Sequence, residues 1–300
     1  MPSKISVIIP SYNYGRFLAE AVDSVLNQSR TADSIILVND GSTDDTEDIC
    51  RLYQLKHPNL IQIISHSENK GIIFTFNEAV NHATGDYICF LGADNIMETN
   101  YIASCASILD SDPRVAIAYT DFILFGENAQ EVYNSFKQEW RKPEQENGWP
   151  ICFPEFSEET SLAILRDTNF IHGSSMYRKQ AFLDVGGYKD TDDGPEDHNL
   201  FLRMLSHNKE WTAKKATDTQ LRYRQHSYEQ ANIKVQMLAK AKQFDEVVNH
   251  WQKDVAELRA EVALRDREIA RLTEELSGVE EQLSHLLQSR AFQLLHRLIS

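Results

Sequence analysis

The chain is poor in the features that most quickly classify a sequence. Its 300 residues include only four cysteines, Cys50, Cys89, Cys105 and Cys152. None stands in a C-x-x-C pair, which argues against a disulfide framework or a zinc cluster and for reduced residues, the first three in or beside apolar segments. Basic residues are scarce: 30 Lys and Arg stand against 45 Asp and Glu, a net charge of −15. A nucleic-acid binder normally carries a basic face, so that class is excluded, and any phosphate bound here is expected to arrive with a cation. No apolar run reaches the ~18 residues of a membrane helix. MPSKISVIIP enters a strand without the apolar core of about 7–15 residues that marks a secretory signal. The expected location is therefore the cytoplasm, with peripheral association at the inner face of a membrane as the variant. Neither G-x-G-x-x-G nor G-x-x-x-x-G-K-[ST] occurs, so the common dinucleotide and P-loop readings lack their phosphate cradle.

What is present is enough for a sizeable core, since 42% of residues are hydrophobic and 10% aromatic. Up to about residue 230, short apolar runs alternate with helical patterns: ISVIIP (5–10), SIILVND (34–40), LIQIISH (60–66), DYICFLG (86–92) and VAIAYTDFILF (115–125). Strands alternating with helices predict a mainly parallel sheet covered on both faces. Ligands on such sheets gather at the carboxyl ends of the strands. Pro10-Ser11-Tyr12-Asn13, Asn39-Asp40-Gly41-Ser42 and Gly92-Ala93-Asp94-Asn95 all fall there. Taken singly, each group is an ordinary turn. In NDGSTDDTED, Ser42 and Thr43 suit the N-cap of a following helix and the acids suit its positive end.

A further acidic pair, Glu196-Asp197, follows Pro195. Leu200, Phe201, Met204 and Leu205 then recur at helical spacing, which puts both acids in a first helical turn.

From about residue 235 the pattern changes. Val248, Trp251, Val255, Leu258, Val262, Arg265, Ile269, Leu272, Leu276, Val279, Leu283 and Leu286 alternate by threes and fours. That is a heptad seam, about 58 Å long at ~1.5 Å per residue. β-Branched residues at the a positions Val248, Val255, Val262 and Ile269 favour a parallel two-stranded coil, with Arg265 interrupting one d layer. The chain is thus expected to divide into a domain over 1–232 and a dimerising helix over 233–300. Residues 231–300 carry net −1, so the acidity belongs to the first part.

In order, the blocks SVIIPSYNYGRFLAEAVDSVLNQ, IILVNDGSTDDT, NKGIIFTFNEAVNHATGDYICFLGADN, HGSSMYRKQAFLDVGGYKD and GPEDHNLFLRM resemble the glycosyltransferase family 2 enzymes with the GT-A fold. The resemblance covers about residues 4–228. It implies an inverting transferase that moves a sugar from a nucleoside diphosphate, a UDP-sugar being favoured, to an acceptor hydroxyl. The acceptor would be a saccharide or lipid-linked saccharide in surface polysaccharide or glycan assembly.

Carried over, the resemblance places Tyr12 near the donor base and Asp40 on its edge, with Ser42 and Asp44 supporting that loop. Pro10, Asn13, Gly71, Asn77 and Ala93 complete the donor side. Asp94 aligns with the acid that touches a divalent cation, Mn²⁺ or Mg²⁺, in a D-x-D-type motif whose first position is Gly92 here; Asn95 is its neutral neighbour. Asp197 takes the place of the general base, with Glu196 beside it. His172, Gly173 and Ser174 match the acceptor-side loop. Arg224 or His226 would face the diphosphate, and His226 is the second candidate for the metal. The segment 126–160, with Trp140, Trp149, Phe153 and Phe156, is expected to shape the acceptor side. The alternative is a coiled-coil scaffold or nucleotide-binding protein whose transferase-like head lacks catalysis. Gly92 speaks for that alternative and the intact Asp94 and Asp197 against it.

Overall fold

The structure is a computed structural model that describes residues 2–157, 161–190, 195–226, 277–278 and 280–285. Two compact units are distinguished, Met1–Gln225 and His226–Ser300. In the second, residues 277–278 and 280–285 are helical. Apart from Leu283, the residues of the heptad seam lie outside the described ones, and so does the coiled coil expected from them.

The first unit opens with three βα units. β1 (Ile5–Ser11), β2 (Ser34–Asp40), β3 (Ile61–His66) and β4 (Tyr87–Phe90) alternate with α1 (Gly15–Leu26), α2 (Thr46–Lys56) and α3 (Ile72–His82). All four strands pair in parallel in the order β3-β2-β1-β4. β1 and β4 read as near-continuous apolar runs because helices cover both faces of such a sheet. Ile5, Val7, Ile8, Ile9, Ile88 and Cys89 are fully buried. α1 turns Leu18, Ala21, Val22 and Val25 inward, a stripe at three- and four-residue spacing.

After β4 the sheet departs from the mainly parallel expectation. β5 (Ile96–Met97), α4 (Tyr101–Ser111), β6 (Val115–Gly126), α5 (Ala129–Ser135), β7 (Trp149–Ile151), α6 (Ser161–Asp167), β8 (Met176–Arg178), α7 (Lys179–Asp184), α8 (Glu196–His207) and β9 (Thr212–Gln225) follow. β8 lies antiparallel between β4 and β6, whereas β6 and β9 run parallel. The full sheet is therefore mixed, in the order β3-β2-β1-β4-β8-β6-β9-β5, with β7 on β6. β9 has no apolar run to mark it: polar and charged residues fill many of its positions, and its buried residues Ala213, Ala216, Thr219, Leu221 and Gln225 are unevenly spaced.

The aromatic residues of the 126–157 segment serve the core more than a surface. Trp140 and Phe153 are buried, and Phe153 packs with Phe122, Phe136 and Trp140. Lys215 and Asp121 pin this layer through the carbonyl and amide of Phe153. Trp149 and Phe156 are half-buried against it. Cys50, Cys89 and Cys105 are buried and all four thiols are free. Among the described residues, no helix is long and apolar enough to cross a membrane.

Candidate active site

The strand order reverses direction of growth at β1, where β2 and β3 lie to one side and β4 to the other. Such a switch point opens a crevice at the carboxyl ends of β1 and β4. Pro10 is in β1, Tyr12 and Asn13 follow it, and Ala93 and Asp94 follow β4. Tyr12 is 44% exposed, a large aromatic left facing solvent at this rim.

The loops after β1 and β2 are interlocked. The Asn13 amide donates to Ser42 Oγ, and the Thr43 amide donates back to Asn13 Oδ1. Asn13 holds a left-handed φ of 59°, a conformation asparagine tolerates better than most side chains. The Gly15 amide donates to Asp44 Oδ2, whose other oxygen accepts from Thr46. Burial pushes the Asp44 carboxyl up, but the bonds from Thr46 and Gly15 outweigh it and hold the pKa below the ordinary range. Ser42 and Thr43 are therefore spent on the loop and do not cap α2, which begins later, at Thr46 with Asp45 in the N-cap position.

Asp40, the last residue of β2, is buried beneath the β3–α3 loop. Its Oδ1 accepts from the Lys70 amide at 2.9 Å and meets His66 Nδ1 at 2.6 Å, while Oδ2 accepts from the Gly71 amide at 3.1 Å. A carboxylate offers about four acceptor positions. These contacts take three and leave one on Oδ2. Gly41, with φ of 70°, lets the loop cross directly above, since a Cβ there would lie 2.3 Å from the Glu68 carbonyl carbon.

At LGADN, Asp94 is buried in a turn closed by the Asn95 amide on the Gly92 carbonyl. Arg224 braces this turn from β9. Its amide donates to Asn95 Oδ1 and its Nε donates to the Asp94 carbonyl. The guanidinium lies over the rings of Phe17 and Phe125 and pairs with Glu20. Arg224 thus positions the Asp94 turn, which is where the cation site was expected. Gly92 is explained by the same turn: a Cβ there would stand 2.7 Å from Asn95 Nδ2 and 2.9 Å from Asp94 Oδ1.

Asp94 gives the site one carboxylate, and a hard cation can be held by one or two carboxylates with phosphate oxygens and waters. Among the described residues, no three His, Cys, Asp or Glu side chains form a metal-ligand group. The donor set therefore fits a cation that comes with its nucleotide. His226, the other candidate, directly follows β9 and is buried.

On the other side of β4, Asp197 sits in the first turn of α8 and faces Gly173. A Cβ on Gly173 would approach Asp197 Oδ2 to 3.1 Å, so the glycine leaves room beside that oxygen. Oδ1 accepts from the His198 amide at 2.7 Å and from Asn169 Nδ2 at 3.4 Å. Loss of water around the carboxyl, followed by the charge of neighbouring Glu196, pushes its pKa up to about 7 against those hydrogen bonds. Ser174 is buried, and its carbonyl accepts from the Tyr101 hydroxyl, which ties the 172–174 loop to α4.

Two expected site residues are turned elsewhere. The Asn77 amide group is taken up by the backbone of Tyr188 in both directions, bracing α3 against the loop before α8. The His172 ring is packed against Phe122 and Phe153, and burial lowers its pKa to about 4. The Thr120 hydroxyl donates to the Asp121 carbonyl, so His172 Nε2 must be the donor to Thr120 Oγ1. His172 is thus a neutral, half-buried side chain bonded to Thr120 beside the 173–174 turn. His66, Glu78 and Asn169 went unnoticed in the sequence, because their partners lie on other segments and share no spacing with them.

Residues 6–186 match the profile of Glycosyl transferase family 2. A putative glycosyltransferase, EpsE of Bacillus subtilis (strain 168), is 29% identical over 204 residues, covering 67% of this chain and 66% of that protein. Chondroitin synthase of Escherichia coli is 27% identical over 200 residues, 67% of this chain but 26% of the relative. The chain therefore matches less than two thirds of the length of these relatives. In fold it is similar to the mannosyltransferase PcManGT of Pyrobaculum calidifontis, solved with GDP-Man and Mn²⁺. The TM-score is 0.55 at 16% identity, covering 98% of this chain and 83% of that one. With three parallel βα units, an acidic turn after β4 and a profile match over more than half its length, the chain belongs to glycosyl transferase family 2.

Proposed function

We propose that this chain is an inverting glycosyltransferase that moves a sugar from a nucleoside diphosphate to an acceptor hydroxyl, with Asp197 as the general base. The observation that carries the reading is the Asp197 carboxyl, with Oδ2 against the side-chain-free Gly173 and a pKa of about 7. A base poised near the working pH combines adequate ionisation with adequate basicity. Asp197 would take the proton of the acceptor hydroxyl as it attacks from the face opposite the departing diphosphate. Glu196 keeps that carboxyl basic by like charge. One base suffices, since a single displacement forms no covalent intermediate.

On the donor side, Tyr12 offers an aromatic face for the base, and Asp40 has one acceptor position left. That suits uracil, with its single ring N–H, better than guanine, whose adjacent ring and exocyclic N–H groups call for two oxygens. Pro10, Asn13, Ser42, Asp44, Gly71 and Ala93 shape the loops around this rim. Asp94 would hold Mn²⁺ or Mg²⁺, which when bound supplies positive charge to the leaving diphosphate. The mannosyltransferase solved with GDP-Man and Mn²⁺ supports a metal-assisted nucleotide-sugar site. A saccharide or lipid-linked saccharide acceptor is proposed, and the relation to a chondroitin synthase supports polysaccharide assembly. Residues 233–300 are proposed to dimerise as a parallel coil, on the heptad seam alone.

The test is Asp197→Asn. Binding of UDP with Mn²⁺ should persist, while UDP release from UDP-sugars in the presence of acceptor glycans should fall by a factor on the order of 10²–10⁴. An undiminished rate in the variant assigns the proton to another group and ends this mechanism.

A further inference from the structure

Next to the proposed site, the described residues hold a buried chain of ionisable groups, two of which the mechanism leaves unused. His66, at the end of β3, has a side chain that is 3% exposed and lies between two carboxylates. Its Nδ1 is 2.6 Å from Asp40 Oδ1 on β2, and its Nε2 is 2.6 Å from Glu78 Oε2 on α3. The ring of Phe74 packs edge-on against it at 5.8 Å, and Lys70 Nζ lies 4.6 Å over Phe74. Burying an imidazole between two acids serves no packing purpose that a leucine would not serve at lower desolvation cost.

The direction of the Asp40 contact follows from its other bonds. Asp40 already accepts from the Lys70 and Gly71 amides, one on each oxygen, so it serves as the acceptor here and His66 Nδ1 as the donor. Three donors from three sides hold the carboxylate in one orientation. Two of them belong to a backbone that could drift with the loop; His66 alone is anchored at its far end, by Glu78. The arrangement parallels the outer partners that orient metal ligands and catalytic histidines, where loss of the partner costs about 10- to 100-fold.

We propose that His66 is a positioning residue that fixes the Asp40 carboxylate for recognition of the donor nucleoside, with Glu78 holding the imidazole in place. This rests on the reading of Asp40 as the base-edge residue. It extends the donor site to two residues that touch no substrate.

The experiment compares two substitutions in the full chain. In His66→Asn the side-chain amide nitrogen falls near the position of Nδ1 and still donates to Asp40. In His66→Gln it falls near Nε2, keeping the Glu78 contact and losing the one to Asp40. UDP, and in parallel GDP, is titrated calorimetrically with Mn²⁺ present, and melting temperatures are recorded for each variant. Nucleotide affinity is expected to stay within about threefold of the parent in His66→Asn and to weaken about tenfold in His66→Gln, although both lose stability. Equal weakening in the two variants reduces His66 to a structural role and overturns the inference, as does parental affinity in His66→Gln. Asp40→Ala separates the two levels. If it binds as tightly as the parent, the base-edge reading falls and the inference with it; if it binds weakly while both His66 variants bind normally, only the inference falls.

Discussion

Replacing Asp197 by Asn should stabilise the folded chain while slowing transfer by a factor on the order of 10²–10⁴, and the pH dependence of that gain is specific. A carboxyl whose pKa rises from an ordinary 3.8 to about 7 on folding is harder to ionise in the folded state. At ~1.4 kcal/mol per pH unit the full penalty is about 4 kcal/mol. Water reaching the open side of this partly covered group screens it, and half, about 2 kcal/mol, is a fairer figure. The sign follows from linkage. Below about pH 4 the carboxyl is protonated in both states and Asn offers no advantage; from there the folded state holds the extra proton, so the parent loses stability as pH rises to about 7. Asn, neutral throughout, escapes that loss. Melting followed by fluorimetry should therefore show no gap near pH 4, a widening gap through about pH 6 and a constant one above about pH 7. At ~2–4 °C per kcal/mol for a domain of this size, the plateau is about 4–8 °C. A variant that melts at or below the parent at about pH 8, or a gap that does not change with pH, would show that the carboxyl is not strained in this way, and the case for its basicity would fail with it.

Three further outcomes follow from the same geometry, and a fourth from the heptad pattern. Transfer should decline as pH falls through about 7, because the base must be ionised; a rate that is flat down to about pH 5 contradicts the assignment. Asp94→Ala should lose Mn²⁺-dependent UDP binding, and equal binding by the variant and the parent in calorimetry refutes the metal role. Gly92→Asp, which restores the commoner acid of the motif, should lower Mn²⁺-dependent affinity, because its Cβ would displace Asp94 and Asn95; tighter binding would show that the turn yields. Light scattering should find a dimer for the full chain and a monomer for residues 1–232, and a full-length monomer at micromolar concentration removes the coiled coil from the description.

Much of this molecule was readable from order and periodicity. Apolar runs that stop at polar residues placed β1 to β4, and the carboxyl-end rule brought Tyr12, Asp40 and Asp94 to one rim, because both signals are local and repeat with a fixed period. The stripe Leu200, Phe201, Met204, Leu205 placed α8 and its acidic first turn in the same way. What depended on neighbours distant in sequence was not readable. Whether β8 would lie antiparallel between β4 and β6 is decided by sheet packing across some ninety residues. The fates of Asn77, His172 and Arg224 were decided likewise. Each is a polar side chain whose partners come from distant segments: the Tyr188 backbone, Thr120, or the Asp94 turn and Glu20. Residue type states what a side chain is able to bond. Only the tertiary structure decides which groups arrive within about 3 Å of it, and burial then decides whether that bond can be given up to solvent or ligand.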